Sequence, residues 1–123
     1  MMAEEQQKLQ ALTEEYQKIQ DDLQSTILAR QKLESQQTEN KSVKAEFTSL
    51  STDSQIYKLI GPVLLKQEKN EAMMSVDGRL EFIEKEIKRI EGQIGDLQEQ
   101  GEKKKLEVLK VQSGLQEQAA KAG

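Results

Sequence analysis

Two long segments with a heptad pattern of apolar residues flank a short stretch rich in β-branched and aliphatic residues, and this layout constrains the fold most strongly. The apolar residues of the first segment are Leu9, Leu12, Tyr16, Ile19, Leu23 and Leu33, with Thr26 and Arg30 as polar members of the same register. Gln37 and Asn40 continue the register as polar positions, and Val43, Phe47 and Leu50 follow with the pattern shifted by one place. Those of the second are Met73, Val76, Leu80, Ile83, Ile87, Ile90, Ile94 and Leu97. Continuing the second register gives Gly101, Lys104, Val108, Val111, Leu115 and Gln118, so the apolar pattern weakens toward the C-terminus. Alternating spacings of three and four are typical of coiled-coil helices. We therefore predict two long helices, at about residues 4–50 and about residues 70–118.

The stretch between these helices carries the signals of a β-hairpin. Small polar residues at 51–54 end the first helical pattern, and residues 56–60 and 63–66 are mainly β-branched or aliphatic. Gly61 and Pro62, the latter the only proline of the chain, predict a tight turn between two strands. A reversal here makes the helices antiparallel. The predicted fold class is mainly α: a long antiparallel two-helix coiled coil joined by a short β-hairpin at about 55–67, forming a single unit of 123 residues.

The predicted hairpin is apolar on both of its faces. Because side chains alternate along a strand, Ile56, Ile60, Val63 and Leu65 cannot share one buried side with Tyr57, Leu59 and Leu64. An isolated two-stranded hairpin is marginally stable in water, and its open edges carry unpaired backbone groups. We therefore expect the hairpin to pair with strands from other chains.

Composition excludes several classes of function. Only 35% of the residues are hydrophobic, 33% are charged and the net charge is −4, which argues against a compact globule and against broad binding of nucleic acid. The basic run from Lys103 to Lys105 is interpreted first as a solvated helix face and second as a localisation or phosphate patch. The sequence shows no signal peptide and no apolar stretch of about 20 residues that would span a membrane. We expect a cytoplasmic protein that binds neither nucleic acid nor membranes.

The sequence also lacks the residues of a catalytic or metal site. It has no cysteine and no histidine, so it has no thiolate ligand and no imidazole to transfer protons at neutral pH. Carboxylate pairs such as Glu14 with Glu15, Asp21 with Asp22 and Glu84 with Glu86 are expected to lie on solvated helix faces, since catalytic pairs need a pocket. We predict no enzyme activity, no catalytic residues, no cofactor and no metal.

Four glycines interrupt the distal half of the second helical segment, at positions 92, 95, 101 and 114. Each costs up to about 1 kcal/mol relative to alanine within an exposed helix. One interpretation is that a packed coiled coil tolerates them, and the other is that they make this part of the helix flexible.

Particular stretches of the chain resemble the β-class subunits of the prefoldin family. The most specific is residues 57–68, which read YKLIGPVLLKQE, because generic coiled coils have no such insert. The other matching stretches are residues 30–34, 37–40, 43–44, 71–72, 79–80 and 86–89. The resemblance covers nearly the whole chain, and a single hairpin rather than two is typical of the β class.

The resemblance implies an assembly and an activity. In this family, two α-class and four β-class subunits join their hairpins into inter-subunit β-barrels, so this chain would have three further β-class and two α-class partners. The hexamer is a co-chaperone that works without ATP. It binds unfolded actin and tubulin at the ends of its coiled coils and passes them to the cytosolic chaperonin.

The resemblance also implies which residues carry these roles. The expected subunit-assembly residues are Ile56, Tyr57, Leu59, Ile60, Gly61, Pro62, Val63, Leu64 and Leu65. The expected client-binding residues, at the chain ends, are Leu9, Leu12, Val111 and Leu115. Apolar residues at helical spacing also form the contact between two helices, so the second assignment competes with a purely structural role.

Other functions remain open at this level. A structural coiled-coil adaptor or tethering protein would have the same helices, but a simple reversal needs only polar turn residues rather than two apolar strands. A basic-leucine-zipper DNA binder is disfavoured by the acidic first segment and the interrupted heptads. An enzyme fits least well.

Overall fold

The computed structural model of the chain describes residues 2–49, 56–60 and 63–122, the two strands and residue 122 by their backbone alone. Helix α1 spans Met2–Ser49, strand β1 spans Ile56–Ile60, strand β2 spans Val63–Gln67 and helix α2 spans Lys69–Ala122. The predicted turn at Gly61 and Pro62 and the polar residues 51–54 lie outside the described residues. The prediction of a mainly α fold in which two long helices pack together is confirmed.

Strands β1 and β2 pair antiparallel, and within the described residues they form a sheet of two strands. Leu59 lies opposite Leu64, Ile60 opposite Val63, and Ile56 opposite Gln67 at the other end. Each described strand therefore has one neighbour and one open edge. The first turn of α2 follows directly, where the Ala72 amide donates to the Glu68 carbonyl at 2.9 Å.

The chain divides into two compact units. The terminal unit combines Met1–Ala29 with Ile90–Gly123, and the hairpin unit spans Arg30–Arg89. Each of the two helices contributes residues to both units, so the boundary between the units falls within the helices.

Polar contacts between the helices fix their direction in the terminal unit. Near the chain ends, Nε2 of Gln118 donates to Oε1 of Glu5 at 3.1 Å. Further along, Nζ of Lys104 lies 2.6 Å from Oε2 of Glu15. From the first contact to the second, the residue number rises on α1, from 5 to 15, and falls on α2, from 118 to 104. The two helices are therefore antiparallel in this unit.

Lys104 occupies a packed position of the predicted α2 register. Its ammonium contacts Glu15 across the helices and Glu107 one turn along α2, at 2.6 and 3.5 Å. The hydrogen bond with Glu15 is the main cause that raises the pKa of Lys104 above its usual value, and the charges of Glu107 and Glu15 act in the same direction. The lysine therefore stays charged throughout the neutral range and replaces an apolar contact with an ionic one.

Most of the buried side chains of the hairpin unit belong to α2. Ala72, Val76, Ile83 and Ile87 are all buried there, with Ala72 the least exposed at 3%. The residues of α1 that face into this unit are half-buried, and many are polar: Arg30, Leu33, Gln36, Gln37, Asn40 and Phe47. Burying an isoleucine contributes about 1.5–3 kcal/mol, so the buried side chains of α2 provide much of the apolar stabilisation when α1 covers them.

Gly101 differs from the other helical glycines of the terminal unit because it is buried between the helices. A Cβ atom at this position would lie 3.2 Å from Nε2 of Gln20 and 3.7 Å from Cγ2 of Ile19. At Gly92, Gly95 and Gly114 no atom lies within 4 Å of such a Cβ apart from the adjacent residues and the nearby backbone of the same helix. Close approach of α1 therefore explains a glycine at 101, whereas nothing in the structure requires one at the other three positions.

We predict that Gly92→Ala, Gly95→Ala and Gly114→Ala each increase the free energy of unfolding by about 0.5–1 kcal/mol, because alanine restricts the unfolded chain and meets open space in the helix. Denaturant unfolding monitored by circular dichroism measures this. Gly101→Ala serves as the comparison and is expected to gain less, because Gln20 has to move. Unchanged stability in all three variants would contradict the prediction.

We also predict that the contact between Lys104 and Glu15 stabilises the terminal unit in a pH-dependent way. Because the folded pKa of Lys104 is raised, the stabilisation is fully present below the unfolded lysine pKa of about 10.4 and is lost as the pH rises through the higher folded value. The Tm difference between the parent chain and Lys104→Met should therefore stay constant from about pH 7 to 9 and shrink above about pH 10.4. Lys18→Met, at an exposed position of α1, is the control and should show no such change.

Candidate functional site

A groove between α1 and α2 opens near the chain ends, and we call it the end groove. It has a volume of about 350 Å³ and is lined by Glu5, Lys8, Leu12, Glu107, Lys110 and Val111. Its apolar lining consists of Leu12 and Val111, whereas its four other residues carry charges of both signs. Such a groove suits an apolar side chain whose neighbours are polar or charged.

The structure places two of the four predicted client-binding residues in this groove. Leu12 is 8% exposed and Val111 is half-buried, so both already contact the opposite helix. Leu9 and Leu115 are also half-buried, but they do not line the groove. All four residues thus belong to the packed side of the helices, and their assignment to client binding remains a prediction.

Sequence reasoning did not identify two exposed leucines close to the end groove. Leu106 and Leu109 are 65% and 48% exposed. Neither belongs to the heptad register of α2, which passes through Lys104, Val108 and Val111 instead. The sequence feature that could have identified these two leucines is that both are apolar but lie outside this register.

The predicted assembly residues fall on the hairpin. Ile56, Tyr57, Leu59 and Ile60 belong to β1, and Val63, Leu64 and Leu65 belong to β2, which the structure pairs with it. Gly61 and Pro62 lie outside the described residues. The backbone register brings the two strands together, but their role in assembly remains a prediction.

A second groove of the terminal unit is polar and has a volume of about 430 Å³. Its lining residues are Asp22, Ser25, Thr26, Gln93, Asp96, Leu97 and Gln100. Asp22 and Asp96 bring one carboxylate from each helix. Along the part of the chain that the structure describes, no group of three or more acidic residues is arranged to hold a metal ion.

Most carboxylates of the pairs named above have partners on their own or the opposite helix. Glu86 accepts hydrogen bonds from the Arg89 guanidinium at 3.2 and 2.9 Å, and these are the main cause that lowers the pKa of Glu86. The same contact raises the pKa of Arg89. Glu84 pairs with Lys88 at 3.6 Å. A carboxylate with a lowered pKa is ionised at neutral pH and does not serve as a general acid.

In the remaining two pairs, three of the four carboxylates have a partner, and that of Glu15 is Lys104 on the opposite helix. Glu14 accepts a hydrogen bond from Gln10 at 3.4 Å, and Asp21 accepts one from Gln17 at 3.0 Å. Within the described residues, neither helix contains an apolar stretch that could cross a lipid bilayer.

Known proteins share this arrangement over most of their length. A crystal structure of the prefoldin beta subunit from Thermococcus strain KS-1 superimposes with a TM-score of 0.77, at 27% identity, covering 88% of this chain and 92% of that one. A second structure, of the prefoldin beta2 subunit of the same organism, has a TM-score of 0.65 and shares the fold at 23% identity, over 74% of this chain and 97% of that one.

Sequence comparisons point to the same family. Prefoldin subunit 6 of Homo sapiens is 47% identical over 119 residues, which cover 96% of this chain and 92% of that protein. Prefoldin subunit 6 of Saccharomyces cerevisiae is 52% identical over 96 residues, covering 78% and 84% of the two chains. A family model described as "Prefoldin subunit" matches residues 10–117. The chain therefore belongs to the prefoldin family of chaperone subunits, and among its members it is similar to Prefoldin subunit 6.

Proposed function

We propose that this chain is one subunit of a hetero-hexameric co-chaperone that works without ATP in the cytoplasm. Its clients would be unfolded proteins such as actin and tubulin, which the hexamer passes to the cytosolic chaperonin. The observation that carries the proposal is a two-stranded hairpin between two packed helices in a chain whose prefoldin match covers residues 10–117. We propose that helices and hairpin act as one prefoldin-like unit and act by binding, without catalysing a reaction.

The hairpin is the proposed assembly element. In the described backbone each strand has one neighbour, so one edge of β1 and one edge of β2 have amide and carbonyl groups free to pair with further strands. Neighbouring hairpins would extend the sheet at these edges and close it into a barrel, which removes the open edges and covers the apolar residues. The partners proposed for this chain are two α-class and three further β-class subunits.

The end groove is the proposed contact for unfolded clients. Its apolar lining, Leu12 and Val111, would receive an apolar side chain of the client, and Leu9 and Leu115 would support it from the neighbouring turns. The contact of one subunit is small and therefore weak. Several such contacts from different subunits of one hexamer would act together through avidity, which requires no nucleotide.

We predict that the chain enters a defined hexamer when it is mixed with α-class and other β-class prefoldin subunits, as measured by native mass spectrometry. Replacing the cross-strand pair with Leu59→Asp and Leu64→Asp should abolish incorporation, because two carboxylates would replace an apolar pair that the proposed barrel covers. Leu28→Asp, at an exposed leucine of α1, is the control and should enter the hexamer normally. A stable dimer of the chain alone that ignores the other subunits would instead favour a structural adaptor.

We further predict that Val111→Ser lowers the protection of an unfolded client about fivefold, since it removes an apolar contact worth about 1 kcal/mol. Light scattering of denatured actin diluted into buffer with increasing hexamer gives the amount needed for half protection. Val108→Ser is the matched control, because Val108 is also a half-buried valine of α2 but does not line the end groove. Hexamer mass and helix content should be equal for both variants. Equal protection by the two variants would rule out the end groove as the contact.

A further inference from the structure

Lys105, Leu106, Leu109 and Lys110 form a compact set on the outward side of α2, and we call it the leucine–lysine patch. The two leucines are separated by three positions, and each lysine lies four positions from one leucine, so the four side chains are neighbours on the helix surface. Leu106 is 65% and Leu109 is 48% exposed, so neither contributes much to the packing of the helices. The patch is a site for apolar contact that folding of this chain leaves open.

The lysines of the patch are not neutralised by this chain. Among the described residues, Lys103 pairs with Glu99 and Lys104 pairs with Glu15 and Glu107, but neither Lys105 nor Lys110 forms an ion pair. Glu102, one turn before Leu106, and Glu107, three positions before Lys110, offset only part of their charge. Because residues 102–110 contain four lysines and two glutamates, the patch lies in a segment of net positive charge in a chain whose overall charge is −4.

Other exposed apolar residues lack this combination. Met74, the most exposed at 73%, lies one turn from Glu71 and one turn from Asp77, so its surroundings are acidic. Leu28 on α1 is 58% exposed and has one lysine, Lys32, four positions later, but no second exposed leucine and no second lysine lie within one turn of it. The patch combines two leucines within one helical turn with a lysine on either side that forms no ion pair. It lies directly beside the end groove, which Lys110 also lines.

We propose that the leucine–lysine patch binds segments of unfolded polypeptide in which apolar residues alternate with aspartate or glutamate. This inference rests on the proposed function and specifies which client segments the terminal unit selects. The leucines bury apolar side chains of the client, while the lysine ammonium groups, on flexible stems that pack along apolar surface, reach its carboxylates. Because Lys110 belongs to both surfaces, a client segment can extend from the end groove onto the patch.

A label at the patch allows the binding of this subunit to be measured within the hexamer. The chain has no cysteine, so Ser113→Cys, four residues after Leu109 and exposed, can carry an environment-sensitive fluorophore as a unique label in this subunit. The other subunits contribute no signal once their own cysteines are replaced. The same fluorophore at Ser25→Cys, close to Leu28, is the control position.

The probes are two synthetic peptides of equal length with leucines at the same positions, one with glutamates and the other with lysines between them. We expect the glutamate peptide to bind about fivefold more tightly at the Ser113 label, as two exposed ion pairs allow. Raising the salt concentration from about 0.05 to about 0.5 M should largely abolish the difference, because it screens the charges. Equal affinity for both peptides at low salt would overturn the proposal.

Variants separate the two parts of the patch. Lys105→Glu with Lys110→Glu should reverse the preference, so that the lysine peptide binds more tightly. Leu106→Ser with Leu109→Ser should weaken both peptides about tenfold, since it removes the apolar contact. Leu28→Ser and Lys18→Glu, at exposed positions of α1, are the matched controls and should change neither affinity.

Two further outcomes would also overturn the proposal. An unchanged preference after charge reversal would do so, as would fluorescence that depends on hexamer concentration without peptide, because that would identify a second copy of the chain as the occupant. If the hexamer still protects unfolded actin in either case, the proposed function stands and only the patch assignment fails. A hexamer that protects no client would instead contradict the proposed function.

Discussion

The burial of one apolar stripe on α2 is the interaction on which the rest of the structure depends. Two packed helices share a single contact surface, so within each unit a weak contact along it is not compensated by another one among the described residues. In the hairpin unit this stripe contains Val76, Ile83 and Ile87, and in the terminal unit it begins with Ile90. Because α2 supplies the apolar groups, α1 can place Arg30, Gln37 and Asn40 on its packed side without leaving an apolar surface uncovered.

The regularity of this stripe explains why much of the fold follows from the sequence. Isoleucines that recur at three and four positions define one face of α2, and Gly101 and Lys104, assigned to this face by counting alone, are indeed buried and half-buried. Ala72 was missed although it is the least exposed residue of the hairpin unit, since alanine has no strong pattern of its own. Val43 was assigned to the packed face of α1 but is 37% exposed, because the stripe shifts after Asn40 and Phe47 takes over the contact.

The candidate sites were less accessible to sequence reasoning, because they depend on the register between the helices. A heptad pattern identifies the face of each helix that is covered, but not which residue of the partner lies opposite. The contact of Lys104 with Glu15, and the groove that joins Leu12 to Val111, both require that register. Leu106 and Leu109 were overlooked for the converse reason: residues outside the heptad pattern carry no periodic signal, and their exposure depends on what the opposite helix leaves uncovered.

The end groove and the leucine–lysine patch would offer apolar surface to a client at different costs. Leu12 and Val111 already pack against the opposite helix, so any deeper contact with a client would have to replace part of that packing. Leu106 and Leu109 are largely exposed, and a client would cover them without disturbing the helix pair. A surface that plays no part in folding can bind and release many different segments while the coiled coil stays intact. In the proposed mode of binding, weak contacts at the patch would therefore hold a client loosely, and the groove would add affinity only where a side chain fits.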